Sequence, residues 1–105
     1  MKSIIQDVKE CYICRLEAII RGYTGELTDQ GLHNHHIFFG TANRPISERL
    51  GLKVYLCNGH HEDHKRGVHH NKELNLMLRQ MAQRKFEESH TREEFMEEFK
   101  ENWLQ

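Results

Sequence analysis

Leu56-Cys57-Asn58-Gly59-His60-His61-Glu62-Asp63-His64 is the stretch on which the reading of this chain turns. Leu52, Val54, Tyr55 and Leu56 lead into it, an apolar and partly β-branched run that suits a short buried strand. Cys57-x-x-His60 then sets two metal-ligand side chains three residues apart. One turn of helix, or a zinc knuckle, can aim both at one ion. His61 follows directly. Neighbours on a helix point roughly 100° apart, so His60 and His61 can face different sites. The helix is expected from near Cys57 to around Gly67.

A second spaced pair, Cys11-x-x-Cys14, lies far upstream. C-x2-C with C-x2-H makes four donors and leaves no position for water, the composition of a structural zinc site. The bland alternative is that Cys11 and Cys14 are small buried hydrophobes. A redox C-x-x-C would need a surrounding βαβ pattern, which is missing here. The three cysteines are an odd number, and the start, Met1-Lys2-Ser3-Ile4-Ile5-Gln6-Asp7, lacks the apolar core of a secretory signal. A reducing cytoplasm is therefore expected, where cysteines favour metal over disulfides. No apolar stretch nears the roughly 18 residues of a membrane span.

Working outward, residues 32–39 read Leu-His-Asn-His-His-Ile-Phe-Phe. As a strand, they put His33, His35, Ile37 and Phe39 on one face and Asn34, His36 and Phe38 on the other. A loop over residues 40–45 follows, then a short helix from Ile46 to Leu50 that stops at Gly51, then a second strand over 52–56. Upstream, Leu16, Ile19, Ile20 and Tyr23 have the spacing of a short helix, broken by Gly22, Gly25 and Gly31. Downstream, Leu74, Met77, Leu78, Met81, Ala82 and Phe86 form one apolar stripe over 71–89. Thr91-x-x-Glu94 is a capping box for a last helix with Phe95, Phe99 and Trp103 on its stripe and Met96 beside it. The sum is one α+β domain of 105 residues with a thin core.

Histidine is the unusual component: nine in the chain, eight of them between positions 33 and 70. Imidazole is the commonest protein metal ligand and titrates near neutral pH. With the zinc set assigned, His36 can serve as a general base, and His35 with His61 can hold one divalent ion. Together these are the two requirements of phosphodiester hydrolysis, a base for water and positive charge for the phosphorane. The net charge of −1 argues against a pure nucleic-acid-binding module. A nuclease tolerates it better, because a bound ion adds positive charge at the scissile phosphate. Seven of the sixteen acids lie between Glu87 and Glu101, a solvated face turned away from nucleic acid.

The pattern Cys11-x2-Cys14, His35-His36-Ile37, Leu56-Cys57-x2-His60-His61 resembles the HNH endonucleases, the ββα-metal nucleases, over roughly residues 11–72. The family pattern is C-x2-C, then an acid or His followed by His-Ile, then N-L-x-x-L-C-x2-C-H. The resemblance implies a zinc-stabilised, treble-clef-like ββα-metal core, with C-terminal helices over about 71–104. It implies a structural zinc on Cys11, Cys14, Cys57 and His60, a general base at His36, and a catalytic ion on His35 and His61. His60 stands where the family has Cys, a benign exchange. Leu52 stands where the family has the Asn that helps orient the base. Asn34, Asn43 or a backbone carbonyl are the substitutes open to this chain.

A narrower resemblance is to phage and prophage HNH proteins of the recombination-associated, RecA-dependent type. It rests on the His-His strand, the L-C-x2-H-H helix start and Gly67-Val68-His69-His70-Asn71-Lys72, similar to G-x-H-x-N-K. It implies His69 as a further ligand, with His33 and His64 as weaker candidates. His70 and His90 read as exposed surface. Lys65, Arg66 and Lys72 are candidate phosphate contacts. The implied partners are DNA, a recombinase or other DNA-processing protein, and a second copy of the chain. The implied catalytic ion is magnesium or manganese, although a His-rich site also suits zinc or nickel. The competing reading is a zinc-stabilised nucleic-acid or protein adaptor that has lost catalysis.

Overall fold

Two short strands carry everything else. β1 (His33–His36) and β2 (Lys53–Leu56) pair antiparallel, with His33 opposite Leu56 and His36 opposite Lys53. The structure, a computed structural model, describes residues 1–104. Around the strands lie α1 (Tyr12–Ile20), α2 (Arg44–Leu50), α3 (Asn58–Glu62), α4 (Lys72–Phe86) and α5 (Arg92–Phe99). No helix among the described residues is long and apolar enough to cross a membrane.

Four of these helices, α1, α3, α4 and α5, start where a side chain satisfies a free N–H group. The thiol of Cys11 accepts from the Cys14 N–H at the start of α1, and that of Cys57 from the His60 N–H at the start of α3. Asn71 caps α4, and Thr91 with Glu94 forms the expected capping box of α5. Gly51 closes α2 in the left-handed region (φ 72°), which a side chain would strain.

Val54 and Leu56 of β2 are buried, as are Leu52, Ile37 and Phe38 beside the strand ends. Leu78, Ala82 and Phe86 of α4 and Phe95 and Phe99 of α5 belong to the same buried cluster. Phe38 is fully buried, its ring 4.4 Å from Phe99 and 4.9 Å from Trp103. Burying one such ring stabilises by roughly 1.5–3 kcal/mol. Gln83 is also fully buried and takes the Trp103 N–H on its side-chain oxygen at 2.9 Å, which ties the chain after α5 to α4.

Three expectations about these helices change. α1 buries Ile13 and Ala18, whereas Ile19 and Ile20 stand in solvent at 58% and 85% exposure. Met77 and Met96 are exposed, so the apolar stripes of α4 and α5 are narrower than their hydrophobic residues imply. α3 stops at Glu62, five residues short of Gly67. The Asp63 carboxylate takes the N–H groups of Lys65 and Arg66 and turns the chain back. Val68 then pairs with the His60 carbonyl at 2.8 Å and is buried to 2% exposure. A continued helix would have left Val68 in water. The turn is tight at Gly67, where a Cβ would meet the Asp63 carbonyl oxygen at 2.6 Å.

Candidate metal centre

Two groups of donors lie on either side of α3. The first joins the start of α1 to the start of α3. Cys14 Sγ and Cys57 Sγ are 3.9 Å apart, and His60 Nδ1 lies 3.5, 3.5 and 3.2 Å from the sulfurs of Cys11, Cys14 and Cys57. A tetrahedral zinc ion with ordinary bond lengths requires edges of roughly 3.8 Å between sulfurs and roughly 3.5 Å between sulfur and nitrogen. The donors fit that shape, and the set could hold a metal ion such as zinc. The outer nitrogen of His60 faces the Glu17 carboxylate at 3.5 Å, the arrangement that fixes a ligating imidazole. Burial raises the Cys11 thiol and pushes Cys14 up to about 12. Alone they would stay protonated at neutral pH, and only a cation would make thiolates of them.

The second group is His35, His61 and His69, whose ring nitrogens converge within 4.8 Å. His35 comes from β1, His61 from α3, and His69 from the turn that Val68 anchors. His61 Nε2 and His69 Nε2 are 3.0 Å apart. His35 is 2% exposed, and its Nε2 has no hydrogen-bond partner. Leaving a buried nitrogen unpaired costs about 1–3 kcal/mol. An ion between the three rings would remove that cost. Burial, and then the neighbouring His61 and His69, holds His35 down to about 3, so it is neutral and ready to ligate at ordinary pH. His61 is lowered for the same first reason.

His36 points away from these rings, as strand alternation requires. Its Nε2 lies 2.8 Å from Glu48 Oε1, and its Nδ1 faces Arg44 Nε at 3.4 Å. Glu48 also accepts from Lys53 Nζ at 2.9 Å and from the amino group of Met1. Lys53 first, then His36 and the amino group, hold its carboxyl well below the usual range. An ionised carboxylate only accepts, so His36 Nε2 carries the proton and Nδ1 the lone pair. Ser47 sets this geometry: its hydroxyl bonds both the N–H and the carbonyl of Phe38, pinning α2 against the end of β1.

His35, His36, His61 and His69 open on one cleft, with Asn34, Phe39 and Arg44 completing its walls. Lys65, Arg66 and Lys72 are exposed and are not among the lining residues, and Arg66 faces Asp63 instead. His64 packs on His70, and His90 stacks on Phe86. Asn43 precedes α2 without capping it through its side chain.

Glu48 and Arg44 were not legible as site residues. The expected helix, Ile46 to Leu50, included Glu48 but left Arg44 in the loop, whereas α2 starts at Arg44, and nothing in the spacing says that it lies over β1. Arg79 escaped too, with its guanidinium 4.9 Å from the Phe39 ring and its positive charge among the lesser causes that lower His35. No protein-family model matches the chain, and no match was found among curated proteins or solved structures.

Proposed function

We propose that this chain is a metal-dependent endonuclease of the ββα-metal, HNH type that hydrolyses DNA phosphodiester bonds. The observation that carries the reading is the cleft in which three imidazoles converge beside a carboxylate-held histidine. A structural zinc centre needs none of these four histidines.

A divalent ion held by His35, His61 and His69 would supply positive charge to the phosphorane and to the departing oxygen. His36 acts as the base. Its Nδ1 lone pair takes a proton from water, and Glu48, bonded to the opposite nitrogen, steadies the imidazolium that results. Glu48 thereby takes the orienting role of the Asn replaced by Leu52. Arg44 covers His36 Nδ1. An entering phosphate draws the guanidinium to itself and frees the lone pair for water. The partners are DNA and a recombinase or other DNA-processing protein. The ion is manganese, or zinc or nickel, which suit three imidazole donors better than magnesium does.

Plasmid nicking by wild type and His36→Ala, with EDTA, magnesium or manganese, tests this. Cleavage should need added metal and fall by about 10²–10⁴ in His36→Ala, with the melting temperature little changed. A folded, zinc-loaded protein that cleaves neither plasmid, branched DNA nor recombinase-coated DNA would overturn it in favour of the adaptor reading.

A further inference from the structure

His61 has a second neighbourhood that the catalytic reading does not use. While Nε2 faces His69, its Nδ1 lies 2.8 Å from His33 Nδ1 and 3.0 Å from Glu62 Oε1. These three donors converge within 4.8 Å and form a group distinct from His35 and His69. The His33 and His61 rings stand nearly perpendicular, at 84°, so each can present a nitrogen to a common point. His61 is 15% exposed and Glu62 52%, which places the group at the protein surface, where an ion can enter.

Hydrogen bonding alone serves this arrangement poorly. A neutral imidazole has one N–H and one lone pair. His61 Nδ1 meets a nitrogen and a carboxylate oxygen on one side of the ring, and Nε2 meets another nitrogen on the other. With its proton on Nδ1, His61 has one N–H to divide between Glu62 and His33, while Nε2 can accept from His69. A cation on the Nδ1 side would engage His33, His61 and Glu62 at once.

We propose that His33, His61 Nδ1 and Glu62 form a second divalent-ion site, so that His61 bridges two ions through its two nitrogens. Two imidazoles and one carboxylate are the donors of a borderline ion such as zinc or cobalt rather than magnesium. Bridging requires His61 to lose its remaining proton to solvent, which two adjacent dications favour. With bonds of about 2 Å on each nitrogen, the ions would lie roughly 6 Å apart. That exceeds the roughly 4 Å of a two-metal hydrolytic clamp. The second ion therefore fixes the tautomer and tilt of His61, and so tunes the ion on His35 and His69 rather than contacting the reacting phosphate.

The proposal shares His61 with the catalytic reading but does not need cleavage. The readout is metal stoichiometry of the full chain. Protein carrying its thiolate-bound zinc is titrated with cobalt(II), followed by visible absorption and elemental analysis. Wild type should take up two further ions. Glu62→Gln and His33→Ala should take up one, and His69→Ala one with the complementary spectrum. In His61→Ala both should weaken by at least tenfold. Glu62→Gln changes a half-exposed side chain by one atom, so a normal melt is expected. Uptake of a single ion by wild type, or two by Glu62→Gln and His33→Ala alike, would overturn the second site whether or not the protein cleaves DNA.

Discussion

The two sides of α3 use the same residue type for opposite ends. On one side His60 completes a set of four donors with edges close to those of a tetrahedron. On the other side His61 shares a three-imidazole set with His35 and His69, and His69 is exposed to the cleft. A full donor set holds the chain together and admits nothing else. A partial one keeps coordination positions free for water and substrate. The difference teaches that donor count and exposure, not residue identity, decide whether a metal bound at a donor set would be closed off or left open to water and substrate.

The largest test of that contrast is Cys57→Ser set beside His69→Ala. Cys57 ties α3 to α1 and also caps α3. Its loss should abolish the cooperative thermal transition, because the metal's binding energy is folding energy. His69→Ala should keep its melt within a few degrees. A Cys57→Ser protein that retained both zinc and its transition would break the comparison outright.

Proton release sharpens it further. Cys11 and Cys14 are raised, Cys14 to about 12, so at pH 7 both are thiols and must give up a proton each on binding metal. His35 sits near 3, so it is already unprotonated and gives up none. These two thiols alone should make zinc affinity at the thiol set rise about 100-fold per pH unit near neutrality, and the Cys57 proton adds to that slope. His35 contributes no pH dependence to the imidazole set until the pH falls toward 3. Calorimetric titration in two buffers of different ionisation enthalpy counts the protons. Equal release at both sets would contradict the assignment.

The smallest effect expected is at Glu48. Glu48→Gln keeps a hydrogen-bond acceptor for His36 Nε2 but removes the charge that steadies the imidazolium. Cleavage should drop about 10-fold in kcat with KM unchanged. A change in KM alone would make Glu48 a substrate contact instead of a positioning residue.

Although it is the structure that brings the two pairs together, sequence alone was enough to pair Cys11 with Cys14 and Cys57 with His60, because donors three apart can be aimed together on one turn. It also placed both strands, the capping box at Thr91 and the breaks at Gly51 and Gly22, since these depend on local backbone preferences. It likewise put His35 and His36 on opposite faces, because strand period leaves no choice. What needed tertiary structure was every contact made by chain segments whose direction local preference does not set. Val68 had to be buried before the turn after α3 could bring His69 to His61. Ser47 had to dock on Phe38 before Glu48 could reach His36. The meeting of His33 and Glu62 on the far side of His61 follows from the β1–α3 approach and has no signature in spacing. Periodicity fixes which way a side chain leaves its own element. Only packing decides what it finds there.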